Sequence, residues 1–345
     1  MAPSSYTQYV LHERPEAHVT PTTFEKQEVA YEKPGEKQVL VQVQYLSIDP
    51  AMRGWLRDVR SYIPPVKIGE VMRAAGIGIV QEAGPGSKYS SGDVIYGMFG
   101  WREYATVNDE DPSLKKIVIP PKAELLDFLG ILGSTGLTAY FGLYDIGKVK
   151  AGETLVVSGA AGAVGSVVCQ MGKLAGAKVI AIAGSEDKCK WLKEDIGVDA
   201  VLNYKSPTFK EEFKEVVGYF DVYFDNVGGE ILNFALTRMK QFARIALCGA
   251  ISDYNKPVPD GLTNYLSLIS MRATLQGFIV FDYREKWPVA IAEMAKWIEE
   301  GKLKRRFTVV DGLDKAYDAL NMLFSGGNTG KTVVRVAKSE ASRLS

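Results

Sequence analysis

A seven-residue turn, Gly159-Ala160-Ala161-Gly162-Ala163-Val164-Gly165, constrains this chain more than any other segment. It follows the apolar run Thr154-Leu155-Val156-Val157-Ser158 and opens a helical pattern, AVGSVVCQMGKLAG, that ends at a glycine. Glycines at these places permit a tight turn, close approach of backbone to a pyrophosphate, and close contact of helix on strand. The helix N-terminus then offers unpaired N–H groups and a positive dipole end to the phosphates. The spacing is GxxGxxG, so the middle glycine departs from GxGxxG. A glycine match alone also describes a turn that binds nothing; the strand before it and the helix after it give it meaning.

The segments that follow keep alternating. KVIAIAGS, AVLNY, FDVYFDNVGG, FARIALCGAIS and ATLQGFIVF read as strands, and EDKCKWLKEDIG, FKEEFKEVV and ILNFALTRM as helices between them. This alternation predicts an α/β unit with a doubly wound parallel sheet covered by helices on both faces. Upstream, QVLVQVQYLSI (38–48) alternates at period two, and AAGIGIVQEAG (74–84) and GDVIYGM (92–98) are short apolar runs bounded by glycine. Those runs predict a barrel-like β domain. ELLDFLGILGSTGLTAYFGLYDIGKV, WPVAIAEMAKWIEEGKL and GLDKAYDALNMLFSG carry helical spacing, and GKTVVRVA reads as a strand returning to the first domain. The expected domains are 1–123 with 305–345, and 124–304 between them.

Of 345 residues, 41 are Lys or Arg and 41 Asp or Glu, so no basic excess argues for nucleic acid or an anionic membrane. No apolar stretch reaches about 18 residues, which argues against a membrane span. The start shows no signal core, and Cys169, Cys189 and Cys248 are a poor disulfide framework. Reduced thiols and a cytoplasmic location are expected. The chain ends Arg343-Leu344-Ser345 rather than Ser-Lys-Leu, and the last residues read as a frayed tail.

The choice between NAD and NADP turns on the second strand of the alternating unit. NAD-binding units place an acid at its end for the ribose 2′-hydroxyl. Here it ends Ile182-Ala183-Gly184-Ser185, and Lys188 follows in the first turn of the next helix, where it can neutralise a 2′-phosphate. Glu186 is the counter-argument, since it can swing toward a 2′-hydroxyl, and Lys188 also reads as an ordinary solvated lysine. The composition at the strand end favours NADP. The two histidines, His12 and His18, lie near the N-terminus and do not supply the three ligands a catalytic zinc usually takes. Without histidines elsewhere, Ser-His-Asp and Cys-His hydrolase chemistry is also disfavoured. Chemistry is then expected from a bound cofactor, with tyrosines, hydroxyls and backbone as helpers.

Several segments together resemble the zinc-independent medium-chain dehydrogenase/reductases, in particular the group of prostaglandin and leukotriene reductases and plant alkenal double-bond reductases. They are Ser47-Ile48-Asp49-Pro50-Ala51-Met52-Arg53-Gly54, Gly136 to Gly142, Ala160 to Ser166, Asp225-Asn226-Val227-Gly228-Gly229, Cys248 to Asn255, and Gly327-Asn328-Thr329-Gly330-Lys331. The resemblance runs from about residue 38 to 336. It implies a GroES-like β-barrel domain for substrate, completed by the C-terminal strand, with a Rossmann domain for NADPH inserted into it. It implies a homodimer and no metal: where zinc-dependent cousins carry a Gly-His-Glu segment, this chain has Gly69-Glu70-Val71-Met72.

By the same resemblance, Gly159, Gly162, Ala163, Val164, Gly165, Ser185, Lys188, Tyr204, Asn226, Cys248 and Asn328 hold the cofactor, with Lys188 and Tyr204 on the 2′-phosphate. Met52 and Arg53 sit near the nicotinamide, and the strand Gly277-Phe278-Ile279-Val280 lines both nicotinamide and substrate. In the loop Trp55 to Lys67 the residues Arg57, Asp58, Arg60, Ser61 and Tyr62 follow no pattern that carries over; Tyr62 is a substrate-pocket candidate on its own account, with a contribution of apolar surface as the competing reading. Tyr254 matches the tyrosine that handles the proton, though a tyrosine there also serves merely to shape the pocket. Cys248 reads as a small buried residue rather than a nucleophile. The implied reaction is NADPH-dependent reduction of the C=C bond of α,β-unsaturated aldehydes or ketones. A quinone reductase of the same superfamily and a catalytically silent NADPH-binding protein are the alternatives.

Overall fold

The computed structural model describes residues 4–337; the reading of the C-terminal tail lies outside the described residues. The chain divides into two units, Met1–Ile119 with Phe307–Gly327 and Thr332–Ser345, and Pro120–Arg306 with Asn328–Lys331.

The second unit holds a six-stranded parallel sheet in the order Ala200–Asn203, Lys178–Ala183, Thr154–Val157, Phe220–Asp225, Met239–Leu247, Thr274–Gly277. The first strand in the chain lies beside the fourth, so the order reverses between Thr154–Val157 and Phe220–Asp225. That is the doubly wound Rossmann arrangement, whose ligands bind at the carboxyl ends of the strands at this switch point. The strands read as continuous apolar runs because both faces are covered. Leu155, Val157, Val179, Ala181, Val222 and Phe224 point to one core, with Leu137, Phe141, Val168 and Met171. Val156, Ile180, Ile182, Tyr223 and Ile245 point to the other, with Phe213 and Leu232. The period-two alternation of side chains divides each strand between the two cores.

The first unit contains a mostly antiparallel seven-stranded sheet. Its path runs Phe307–Asp311, Lys331–Arg335, Gln38–Ser47, Gly76–Ala83, Val94–Gly97, Lys115–Lys116, and Tyr104–Asn108 also pairs with Gln38–Ser47. The strand Lys331–Arg335 aligns Val333 with Ser47, which is how the C-terminal part of the chain completes this sheet. An antiparallel pair, Ser5–Leu11 and Phe24–Ala30, stands apart from the main sheet.

Two expected strands end earlier than their apolar runs. ATLQGFIVF gives a strand only over Thr274–Gly277, and Val280–Lys286 is a 3-10 helix. The Asp282 N–H donates to the Ile279 carbonyl at 3.1 Å and the Trp287 indole N–H to the Val280 carbonyl at 3.2 Å, which closes the turn. FARIALCGAIS likewise stops at Leu247, and Tyr254 lies in the turns beyond it.

Candidate active site

The site of the second unit grows out of the switch point. Gly159 has φ +57, a left-handed conformation that Cβ-bearing residues adopt at a cost. The Ala160 N–H donates to the Ile182 carbonyl at 3.0 Å, tying the turn to the neighbouring strand. Gly162 caps the helix Ala163–Leu174. A Cβ on Gly165 would lie 2.4 Å from the Gly159 carbonyl oxygen and 2.7 Å from the Ala160 Cα. Only glycine lets this helix start so close to the strand that feeds it. The amides of the first helical turn have no intrahelical partners and face the end of the sheet.

Ser158 and Asp225, at the ends of the two switch-point strands, lock the adjoining turn. The Ser158 hydroxyl donates to Asp225 Oδ1 at 2.7 Å and accepts the Asn226 N–H at 2.9 Å. Asp225 also accepts from the N–H groups of Val227 and Gly228, at 3.2 and 3.0 Å. The Asn226 side chain donates to the Ser158 carbonyl at 2.7 Å. Asp225 is fully buried, and burial raises its carboxyl to about 6 against the pull of those hydrogen bonds. Sequence reasoning noticed Asp225 only inside a segment and passed over Ser158; the signal available was a polar residue at each strand end.

The turn carrying Tyr254 rests on this network. The Ser252 hydroxyl donates to the Val227 carbonyl at 2.7 Å, and the Ile251 N–H to the Asn226 carbonyl at 3.3 Å. The Tyr254 hydroxyl accepts the Ala250 N–H at 3.2 Å, and a Cβ on Gly249 would touch that hydroxyl at 3.2 Å. Tyr254 is half-buried. Cys248 is held by its N–H on the Asp225 carbonyl at 2.9 Å. Burial, and then the Asp225 carboxylate, push its thiol up to about 12, so it stays protonated near neutral pH.

At the end of the second strand, Ser185 caps the helix Glu186–Trp191, its hydroxyl accepting the Lys188 N–H at 3.4 Å. Tyr204 lies against Gly184, where a Cβ would come within 2.5 Å of its ring. Burial, and then the neighbouring Lys205 charge, lower the Lys188 pKa. Two ammonium groups that repel one another are a place where a doubly charged anion is stabilised. Lys205 was not read from the sequence, because its approach to Lys188 depends on the pairing of Ala200–Asn203 with Lys178–Ala183. Glu186, the argument for NAD, accepts a hydrogen bond from Asn203 Nδ2 at 2.7 Å. Asn328 donates to the Gly330 carbonyl at 3.3 Å, and Gly330 donates in turn to the Ala161 carbonyl at 2.8 Å. The segment 328–331 is thereby fastened to the glycine turn.

Phe278 and Val280 belong to the same unit. Gly142 admits the Phe278 and Phe224 rings, to which a Cβ there would approach within 2.4 and 2.6 Å. Met52, Arg53 and Tyr62 belong to the first unit. Arg53 is fully buried, donating to the carbonyls of Ala17, Pro15 and Glu16 at 2.8, 2.9 and 3.3 Å. Burial, and then Arg57, lower its guanidinium to about 10. Met52 is buried beside it in sequence, and Tyr62 is exposed, its hydroxyl accepting the Trp55 indole N–H at 2.9 Å. Among the described residues no group of three or more His, Cys, Asp or Glu is placed to hold a metal ion.

Comparison with known proteins sets this doubly wound sheet and separate β unit among oxidoreductases. Residues 7–116 match a family described as the N-terminal domain of oxidoreductase, and 163–296 one described as zinc-binding dehydrogenase. The chain is 40% identical over 336 residues to the NADPH-dependent curcumin reductase of Escherichia coli, covering 95% of this chain and 96% of that one. It is 38% identical over 310 residues to the 2-alkenal reductase (NADP(+)-dependent) of Nicotiana tabacum, covering 88% and 89%. The crystal structure of CurA from Vibrio vulnificus in complex with NADPH superimposes with a TM-score of 0.90 at 38% identity, over 96% of this chain and all of that one. The chain belongs to the zinc-independent medium-chain dehydrogenases/reductases, with their Rossmann and GroES-like folds.

Proposed function

We propose that this chain catalyses the NADPH-dependent reduction of the C=C bond of an α,β-unsaturated aldehyde or ketone. The observation that carries the cofactor is the Gly159–Gly165 turn at the end of Thr154–Val157, beside the strand Lys178–Ala183 that leads into the helix bearing Lys188. The substrate class rests on the similarity to reductases named for 2-alkenals and curcumin. In this reading Gly159, Gly162, Ala163, Val164 and Gly165 hold the pyrophosphate through backbone N–H groups. Ser185, Lys188 and Tyr204 hold the 2′-phosphate, and Asn226, Cys248 and Asn328 border the rest of the cofactor. Met52, Arg53, Tyr62, Phe278 and Val280 are assigned to the substrate side, and the β unit is the substrate domain.

When bound, the dihydronicotinamide supplies a hydride to the β-carbon. Negative charge then builds on the carbonyl oxygen, a donor aimed there lowers the barrier, and a proton added at the α-carbon completes the saturated carbonyl. Tyr254 is assigned that role. Its hydroxyl oxygen accepts the Ala250 N–H at 3.2 Å, which ties the hydroxyl to the turn beside Cys248 and Gly249. We further assign a cytoplasmic location and a homodimer. The dimer is supported by the edge strand Thr274–Gly277, which pairs on one side only among the described residues, and by exposed Tyr265, Leu266 and Ile269 nearby in sequence. Sedimentation at micromolar concentration tests it.

The test of activity is consumption of NADPH and NADH with a 2-alkenal, an aryl enone, a quinone and a saturated aldehyde, with and without chelator, and with products identified by mass. Chelator-resistant, NADPH-dependent formation of the saturated carbonyl is the expected result. Turnover of the quinone alone would replace the reading with quinone reduction. NADPH binding without any turnover would remove the enzyme assignment for this panel.

A further inference from the structure

The second strand ends at Ala183 without an acid of its own, and the carboxylate that follows soonest after the place where NAD-binding units recognise a ribose 2′-hydroxyl is Glu186. Glu186 is the first residue of the helix that follows, two residues before Lys188. If free to turn toward the ribose, it would repel a 2′-phosphate and accept from a 2′-hydroxyl. Asn203, at the end of the neighbouring strand and aligned with Ala183, prevents this. Its Nδ2 donates to Glu186 Oε1 at 2.7 Å, while its Oδ1 accepts the Lys205 N–H at 3.1 Å. The side chain is held at both ends, so one residue restrains the carboxylate and orders the backbone of the second lysine.

We propose that Asn203 is a positioning residue for cofactor choice: it holds Glu186 away from the ribose 2′ position and so favours the phosphorylated cofactor. This rests on the NADPH reading above. It is distinct from the phosphate contacts themselves, because Asn203 carries no charge and acts through Glu186. The asymmetry is chemical. A carboxylate accepts a hydroxyl proton and gains, whereas against a dianionic phosphate it has only repulsion to offer.

The test separates the phosphate from the rest of the cofactor. Isothermal titration of the intact protein with adenosine 2′,5′-bisphosphate and with 5′-AMP gives a ratio of affinities that needs no turnover. Wild type is expected to bind the bisphosphate more tightly. Asn203→Leu, matched in size at a half-buried position, is expected to lower that ratio about tenfold. In kinetics it should raise the KM for NADPH, lower that for NADH and leave both kcat values within about twofold. Asn203→Ala removes the same bonds without bulk and should give the same shift. In the Glu186→Gln background, Asn203→Leu should change the ratio by less than about twofold, because the charge it releases is gone. An unchanged ratio in both Asn203 variants, or an equal loss in the Glu186→Gln background, overturns the proposal. Equal wild-type affinity for the two probes would overturn the NADPH reading beneath it.

Discussion

The closest backbone approach in the glycine turn gives the sharpest prediction about the cofactor site. In Gly165→Ala the new Cβ would stand 2.4 Å from the Gly159 carbonyl oxygen, 2.7 Å from the Ala160 Cα and 3.0 Å from the Gly159 carbonyl carbon. All three are backbone atoms of the turn, so no side chain can yield. Ordinary contact requires the helix start to retreat by about 1 Å from the strand end. Overpacking of this kind costs roughly 1–3 kcal/mol, and the better helix propensity of alanine returns about 1. The net loss of up to about 2 kcal/mol should lower the thermal midpoint of the unit by at most roughly 8 °C. The larger effect falls on the ligand. Helix amides displaced by that distance lose charge-assisted hydrogen bonds worth about 1.5–3 kcal/mol, so NADPH should bind roughly 10- to 100-fold more weakly in a fluorescence titration.

Gly162→Ala is the internal control. Gly162 has φ −79, open to any residue, and its added Cβ meets only the Gly159 carbonyl oxygen, at 3.2 Å. Its cost should stay near the few tenths to 1 kcal/mol of a weaker helix cap. Equal damage from the two substitutions, or wild-type melting and binding in Gly165→Ala, would refute the close-approach argument.

Lys188→Ala should raise the KM for NADPH about 10- to 100-fold and that for NADH far less, since a charge-assisted contact to phosphate is lost; parallel increases for both cofactors would remove Lys188 from the 2′-phosphate. Tyr254→Phe should lower kcat about 100-fold or more while NADPH affinity stays within a few-fold, read from single-turnover rates; unchanged turnover would reduce Tyr254 to a shaping role. Burial raises the Asp127 carboxyl to about 6, ahead of the opposing Glu124 N–H and Arg305, whereas an unfolded aspartate titrates near ~3.9. The folded state therefore binds that proton more tightly, so the stability Asp127 contributes is present below about pH 4 and is lost as pH rises toward about 6, by up to about 3 kcal/mol. Asp225 acts in the same direction. Asp127→Asn should flatten part of this dependence in urea unfolding across pH 4–7, and a variant keeping the full slope would contradict the assignment.

The alternating unit was legible because its strands are apolar without interruption and its turns carry glycines where the backbone needs them. The pair Ser5–Leu11 and Phe24–Ala30 was not read. SYTQYVL is half-buried over most of its length and FEKQEVA mostly exposed, so neither shows a clean alternation. The apolar run around Phe278 misled because hydrophobicity marks burial rather than backbone shape. What bends the chain there is a tryptophan N–H from Trp287, invisible to local pattern. The glycine turn could be found from local sequence, its spacing read together with the strand before it and the helix after it. Lys205 and Asn203 could not, since their relation to Lys188 and Glu186 comes from strand neighbours rather than from sequence distance.

That difference follows from how a parallel sheet builds a site. Each strand delivers its last residue to the same end of the sheet, so Ser158, Ala183, Asn203, Asp225 and Leu247 are neighbours by topology although they span 90 positions of sequence. Any residue just past a strand end joins the site whatever its type, and its role is set by what the adjacent strand brings. Asp225 illustrates the point. A buried carboxylate is costly, yet it is retained where it collects the Ser158 hydroxyl and two amides and so shapes the turn that carries Asn226. This end of the sheet is therefore over-determined by hydrogen bonds between strand ends. The loop from Trp55 to Lys67 hangs on a different set of bonds, with Arg14 on the Leu56 and Val66 carbonyls, the Val66 N–H on the Trp55 carbonyl and Arg73 on the Pro64 carbonyl, and it leaves Val59 and Tyr62 exposed. Substitutions there should alter the choice of carbonyl substrate with little effect on NADPH affinity, because they leave the strand ends untouched.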